Sequence, residues 1–191
     1  MKRVRLAPSF RSQRVAEAIV EQIASAVKRG VKVVQYSIQE DHLHLMVEGA
    51  DKQELARGMK LLFSRIAFAV NRVSGRCGSL FRERHHRRPL TTPTEVRNAL
   101  VYILFNARKH VIGRRDFRAA FFSFLDDKSS APWFTGWAPN AAPPQRLVER
   151  SRARWPGAPP LHEPTTWLAA HGWRRATPGH IRFDELPRLP D

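Results

Sequence analysis

Two histidines separated by one residue form the first pattern in the chain that points to chemistry. Residues 41–47 read DHLHLMV, in which His42 and His44 alternate with leucines. Successive side chains of a strand point to opposite faces, so a strand here places both imidazoles on one face and the leucines on the other. Because neutral imidazole is a common ligand of divalent metal ions, this histidine face is a candidate metal site.

Further along the chain, a tyrosine and an asparagine supply two more functional groups. Tyr102 and Asn106 lie in an apolar run that predicts a helix, and their spacing of four residues places both on one helix face. A buried amide needs partners, and ligation of a metal ion by the carbonyl oxygen of Asn106 is one way to satisfy it. The candidate site therefore contains three possible metal ligands and a phenol.

Each of these residues also has an ordinary structural explanation. Histidines on an amphipathic strand are by default partly exposed polar residues, and a tyrosine in an apolar helix is by default a packing residue. Tyr36, the other tyrosine, lies in a run of β-branched residues and is predicted to be structural. His85 and His86 are adjacent, so on a strand they face opposite ways and at most one of them joins a site.

The elements that must position these groups follow from the hydrophobic pattern. Strands favour β-branched residues and alternation, whereas helices repeat apolar residues every three or four positions. Ser12 and Asp51 are predicted to cap the first two helices, and Gly30 to end the first. The predicted order is a strand at 1–6, a helix at 12–29, strands at 31–38 and 42–48, a helix at 51–73, a strand at 79–90 and a helix from 94 to about 110.

That order is the split βαβ arrangement of ferredoxin-like domains, which belong to the α+β class. We expect an antiparallel sheet with two helices on one face. The histidine face is then open, and the tyrosine-bearing helix follows the last strand.

Composition changes after about residue 112. Eleven of the 14 prolines and all five tryptophans lie after Ala131. The sequence therefore predicts one domain over residues 1–112 and a Pro/Trp-rich, partly irregular C-terminal extension over residues 113–191. Buried indoles near Trp137 and Trp173 are expected to hold segments of this extension to the core.

The charge balance indicates a polyanionic partner. Lys and Arg number 33 against 17 Asp and Glu, a formal net charge of +16 in 191 residues. Nucleic acid is the leading candidate, whereas a membrane surface is not favoured, because no basic amphipathic helix stands apart from the core. Four arginines of the predicted strand at 79–90 are assigned to phosphate binding, namely Arg82, Arg84, Arg87 and Arg88.

Other features of the sequence indicate a cytoplasmic protein. Cys77 is the single cysteine, which excludes an intrachain disulfide, and no apolar segment follows Lys2 and Arg3 as in a secretory leader. The longest apolar run, residues 99–105, is too short to cross a bilayer.

The two motifs together resemble a known family. His-Leu-His on a strand, followed by Tyr-x-x-x-Asn on a helix, is similar to the HUH-type single-tyrosine transposases, in particular those associated with REP elements. The resemblance covers roughly residues 31–110. The family often has Asn before the first histidine, where this chain has Asp41, and it begins with a longer first strand.

The resemblance implies a function and roles for the site residues. His42, His44 and Asn106 would bind Mg²⁺ or Mn²⁺, and Tyr102 would attack DNA. The protein would cut and rejoin single-stranded or hairpin DNA through a 5′-phosphotyrosine intermediate, acting near the nucleoid as a monomer or homodimer.

A non-catalytic nucleic-acid binder is the alternative function. RNA-recognition domains share the ferredoxin-like scaffold, but they stack bases on sheet aromatics, and the strand at 42–48 has none. A descendant of a transposase that binds single-stranded nucleic acid without transposing stays open as the second reading.

Overall fold

A computed structural model describes residues 2–5, 7–82, 86–111, 122–155 and 160–185 of the chain, and the side chains of 109–111 are left aside. It divides into two compact units. The N-terminal unit is Met1–Pro89 with Pro159–Thr166, and the C-terminal unit is Leu90–Ala158 with Trp167–Asp191. The predicted boundary at residue 112 falls inside the C-terminal unit.

The described residues form a mixed α and β fold, in agreement with the predicted α+β class, with a two-stranded antiparallel sheet and five α-helices. The N-terminal unit contains α1 (Gln13–Ala24), β1 (Lys32–Ile38), β2 (Leu43–Glu48) and α2 (Lys52–Val73). The C-terminal unit contains α3 (Pro93–Phe105), α4 (Gln145–Arg152) and α5 (Trp167–Ala170).

Helix α1 is shorter than predicted and lacks the predicted cap. It ends at Ala24, and a 3₁₀ turn continues to Arg29, where Gly30 adopts the left-handed conformation with φ 76° and ends the turn. Ser12 occupies the N-cap position, but its hydroxyl donates to the carbonyl of Ser9 at 3.0 Å instead of accepting from the helix. The cap was mispredicted because the hydroxyl finds a partner in the preceding turn.

The predicted hairpin of β1 and β2 is present. Tyr36 pairs with Leu45 and Ser37 with His44, and an irregularity between Val33 and Gln35 shifts the register near the start of β1. Tyr36 is fully buried, as expected of a structural residue. The pairing fixes the plane of β2 and therefore the side on which His44 lies.

The first and last predicted strands appear among the described residues as short bridged segments. Lys2 forms an isolated antiparallel bridge with His42, and Arg3 forms one with Phe81. Residues 2–4 therefore lie between the start of β2 and residues 80–82. The Phe81 ring packs edge-on against Phe63 of α2 at 5.4 Å between centroids, which anchors this region to the core.

Helix α2 begins where the sequence predicts. The side chain of Asp51 accepts hydrogen bonds from the amides of Gln53 and Glu54, both at 2.7 Å. The amide of Ala50, one residue before the cap, donates a hydrogen bond to the carboxylate of Glu54. This end of the helix follows from local sequence because all its partners lie within four residues.

Helix α3 begins with a full capping box between Thr92 and Glu95, two residues before the predicted start. Its α-helical hydrogen bonding ends at Phe105, and a 3₁₀ turn covers Asn106–Val111. Arg97 of α3 forms a bidentate ion pair with Glu185, with N–O distances of 2.8 and 2.7 Å. Because Arg97 is 4% exposed, this pair ties the end of the described chain firmly to α3.

The Pro/Trp-rich region packs around a buried aromatic cluster in the C-terminal unit. Trp173 is 2% exposed, and its ring lies 5.8 Å from that of Phe134, which meets Trp137 edge-on at 5.1 Å. Arg108 stacks over the ring of Phe183 at 3.9 Å and donates to its carbonyl at 2.7 Å. Burial lowers the pKa of Arg108 to about 9, against an opposing effect of the Asp126 charge.

One end of the histidine face is covered, which corrects the expectation of an open sheet face. Glu48 lies on the same side of β2 as His44 and is 9% exposed. Its carboxylate accepts hydrogen bonds from the amides of Thr165 and Thr166, at 2.7 and 3.0 Å, and from both hydroxyls. His162 also donates its amide to the carbonyl of Val33 at 3.0 Å. Residues 160–166, which the sequence assigned to the partly irregular C-terminal extension, are thus part of the N-terminal unit.

We predict that Glu48→Ala lowers the free energy of unfolding by about 2 kcal/mol, because hydrogen bonds to a buried carboxylate are lost. Burial by itself raises the pKa of Glu48, but the bonds from Thr165 and Thr166 outweigh it and the net pKa is lowered. The contribution is therefore fully present above about pH 4.3, the unfolded value, and is lost as pH falls through the folded value.

Denaturant unfolding at several pH values between 3 and 8 measures this contribution. The difference between wild type and Glu48→Ala should be constant near neutrality and should shrink in acid. Glu17→Ala, which removes an exposed carboxylate of α1, is the control and should show little effect. An equal loss for both variants would contradict the assignment.

Candidate functional site

The structure brings His42 and His44 together at the start of β2. Their Nε2 atoms are 2.8 Å apart, and their ring centroids are 4.6 Å apart with the planes nearly perpendicular. His42 is 28% exposed at its side chain, so the pair lies near the surface. Two ring nitrogens directed at each other form either a hydrogen bond or one edge of a metal site.

Asp41 fixes the protonation pattern of this pair. Its Oδ1 lies 2.6 Å from Nδ1 of His42, and a carboxylate accepts but cannot donate. Nδ1 of His42 therefore carries a hydrogen, and in the tautomer with this one hydrogen Nε2 presents its lone pair toward His44. The hydrogen bond from His42 holds the pKa of Asp41 below its usual value, although burial opposes it.

This arrangement fits a divalent cation. Zinc–imidazole bonds are about 2.0–2.1 Å long. At this bond length two nitrogens on one ion are about 3.3 Å apart in a tetrahedral site and about 2.9 Å apart at the right angle of an octahedral site, and the 2.8 Å found here is close to the octahedral value. A carboxylate behind a ligating histidine is the usual outer support of a metal-binding imidazole. Without an ion, the same distance is explained by His44 donating from Nε2 to His42.

The histidine pair needs further ligands to hold an ion. Among the described residues, no group of three or more His, Cys, Asp or Glu side chains is arranged for metal binding. An amide oxygen and water are outside that set and are suitable ligands for the hard cations Mg²⁺ and Mn²⁺. Asn106 remains the third ligand predicted from the sequence.

Tyr102 and Asn106 lie one turn apart in the C-terminal unit. Asn106 retains right-handed helical φ and ψ at the end of α3, so the expected spacing is kept. Tyr102 is 37% exposed, whereas Asn106 is 5% exposed. The Nδ2 atom of Asn106 is buried without a hydrogen-bond partner in the described part of the chain. A buried amide with an unmet hydrogen-bonding group is costly, which marks this residue as a candidate for a function.

The predicted phosphate-binding arginines are partly described. Arg82, Arg87 and Arg88 are exposed, and they belong to the N-terminal unit with the two histidines. Arg84 lies outside the described residues, as does His85.

No described helix is both long and apolar enough to cross a membrane.

Sequence patterns identified the two histidines but not the contact that orients them. Asp41 was notable as a departure from a family pattern, and only the structure shows its carboxylate against Nδ1 of His42. The adjacency of Asp and His in sequence was the available signal. The contact of Glu48 with Thr165 and Thr166 had no such signal.

Comparison of the chain with known protein families, with curated proteins and with solved structures finds no match in any of the three. The functional assignment therefore rests on the chemistry of the residues.

We predict that Asp41→Ala weakens binding of Mn²⁺ or Zn²⁺ about 10- to 100-fold, because loss of an outer carboxylate leaves the His42 ring without its orienting acceptor. Isothermal titration calorimetry measures the affinity. Asp41→Asn is the matched variant, since its amide oxygen still accepts from Nδ1, and it should lose less. Unchanged affinity in Asp41→Ala would show that the contact does not support a metal site.

Proposed function

We propose that the chain is a metal-dependent DNA strand-transferase of the HUH single-tyrosine type, acting on single-stranded or hairpin DNA. The observation that carries the proposal is the pair of imidazole nitrogens 2.8 Å apart, with Asp41 behind His42. The Asp41 carboxylate supports the proposal because it leaves the lone pair on Nε2 of His42, the atom that a metal-binding imidazole must offer.

The order of the extended segments supports the finer fold assignment. Residues 80–82, residues 2–4, β2 and β1 are neighbours in that order, through the bridges and the hairpin. Helix α1 follows the first segment in sequence, and α2 follows β2. This order supports the proposal of a ferredoxin-like split βαβ domain, in which residues 2–4 and 80–82 would be two very short strands.

In the proposed reaction, the chain supplies ligands, a nucleophile and phosphate contacts. His42, His44 and Asn106 would hold Mg²⁺ or Mn²⁺. When bound, the cation supplies Lewis-acid stabilisation of negative charge on the scissile phosphate. Exposed arginines, Arg82, Arg87 and Arg88, contact neighbouring phosphates and position the strand.

Tyr102 performs the bond exchange. A phenol hydroxyl is a weak nucleophile that gains by being held close to its target. Its oxygen forms a bond to the phosphorus and gives up its proton to solvent, while the bond from phosphorus to the 3′ oxygen breaks and that oxygen takes up a proton. The products are a 5′-phosphotyrosine ester and a free 3′ hydroxyl.

Because one phosphate ester replaces another, the step needs no nucleotide cofactor. A 3′ hydroxyl from the same or another DNA end can attack the phosphotyrosine and release Tyr102. Strand transfer therefore follows from the reversibility of the exchange. An exposed phenol at 37% accessibility is compatible with access by a large substrate.

A non-transposing single-stranded nucleic-acid-binding protein is the second candidate. The observation that favours it is the N-terminal segment, whose described residues 2–5 pair through isolated bridges at Lys2 and Arg3. A weakened central strand lowers the rigidity of the frame that holds His42. Such a protein would keep the phosphate contacts and lose the covalent step.

We predict that Tyr102→Phe binds single-stranded or hairpin DNA with near-normal affinity but forms no covalent adduct. Labelled DNA incubated with Mn²⁺ and separated under denaturing conditions measures the adduct. The His42→Ala/His44→Ala variant should also lack the adduct while keeping salt-sensitive binding. DNA cleavage by the Phe variant would mean that water is the nucleophile, and binding without any wild-type adduct would support the second candidate.

We also predict that Arg82→Gln/Arg87→Gln/Arg88→Gln reduces the slope of log affinity against log salt by about 2, since each phosphate contact to a single strand contributes about 0.7. Base preference should not change, because these contacts go to phosphates. Arg146→Gln/Arg150→Gln on the exposed side of α4 is the control. Altered base preference at an unchanged slope would show that the arginines read bases.

A further inference from the structure

The outer face of α2 combines positive charge with exposed apolar side chains. This face consists of six exposed residues, Arg57, Lys60, Leu61, Arg65, Phe68 and Arg72, and all of them except Lys60 follow one another at spacings of three or four. Glu54, in the first turn, is the one acidic residue of the helix and is bonded to the amide of Ala50. Arg57 lies three positions after Glu54, whereas Lys60, Arg65 and Arg72 have no acidic residue of α2 within four positions.

Phe68 is the unusual member of this face. Its side chain is 78% exposed, and Leu61, two turns earlier, is 51% exposed. The apolar side of α2 that packs in the core is a different set of residues, including Leu62 and Ile66, which are fully buried. Phe68 is therefore not needed to complete the core, and its exposed phenyl, with Arg65 and Arg72 three and four positions away on α2, is available to a partner.

We propose that the outer face of α2 binds single-stranded nucleic acid, with Phe68 stacking on an unpaired base and the cations contacting phosphates. Surfaces that bind single strands combine these two features, a positive track and aromatic platforms. From Arg57 to Arg72 the helix rises about 22 Å, which is long enough to follow several nucleotides. A duplex presents no free base face to Phe68, so the single strand is favoured.

Other occupants fit this face less well. A second copy in a two-fold contact would place the same cations against each other. A membrane surface would gain little, because Leu61 and Phe68 are the two large apolar side chains of α2 that are exposed.

This surface shares no residue with the histidine pair or with Tyr102, so the inference stands whether or not the chain cleaves DNA. If cleavage does occur, the outer face of α2 gives the strand a second point of attachment. Binding measured without divalent metal separates the two proposals, because it does not depend on the covalent step.

Two variant pairs test the proposal, with a fluorescent dT oligonucleotide and fluorescence anisotropy in EDTA. Phe68→Ala should weaken binding by about five- to a hundredfold, the range for loss of one stacked base, while Leu61→Ala should change it little. Lys60→Gln/Arg72→Gln should reduce the salt slope by about 1.4. Arg146→Gln/Arg150→Gln removes the same charge from α4 and is the matched control.

The proposal is overturned if Phe68→Ala binds as wild type does, or if it weakens duplex and single-stranded binding equally. It is also overturned if Lys60→Gln/Arg72→Gln and Arg146→Gln/Arg150→Gln reduce the salt slope equally. The overall positive charge of the protein, and not the outer face of α2, would then account for binding. Phe68-dependent binding to phosphatidylserine vesicles with unchanged oligonucleotide binding would assign the face to a membrane instead. Phe68→Trp should retain oligonucleotide affinity, which separates stacking from a folding defect.

Discussion

The contact between Asp41 and His42 is the constraint on which the candidate site depends. An imidazole alone has two tautomers, and the one with its lone pair on Nε2 is selected here because Nδ1 faces a carboxylate at 2.6 Å. His44 then meets that lone pair at 2.8 Å. One hydrogen bond thus orients the His42 ring, with its Nε2 atom directed at His44.

The rest of the N-terminal unit keeps this pair in place. The pairing of Ser37 with His44 connects this part of the chain to β1. The bridge between Lys2 and His42 connects it to the N-terminal segment. Glu48 holds residues 160–166 on the same side of β2, at the end away from the pair. The histidine face is therefore framed by chain segments distant in sequence, while the pair itself stays partly exposed.

Local patterns predicted the parts of the fold whose partners are close in sequence. The hairpin, the Asp51 cap of α2 and the common side of His42 and His44 follow from alternation and capping rules. Thr165 and Glu48 are 117 positions apart in the sequence, so no local sequence pattern predicts their contact. The α-helix also stops at Phe105, where apolar periodicity alone predicted a continuation to about residue 110. The tautomer of His42 likewise requires the three-dimensional position of Asp41.

The central proposal is that His42 and His44 bind one and the same ion. A double-mutant cycle on Mn²⁺ affinity tests it, using His42→Ala, His44→Ala and the double variant in calorimetric titrations. If both residues bind one ion, each single variant weakens binding and the double variant is weakened by much less than the sum of the two free-energy losses. Additive losses, or a His44→Ala variant that binds Mn²⁺ as wild type does, would contradict the account.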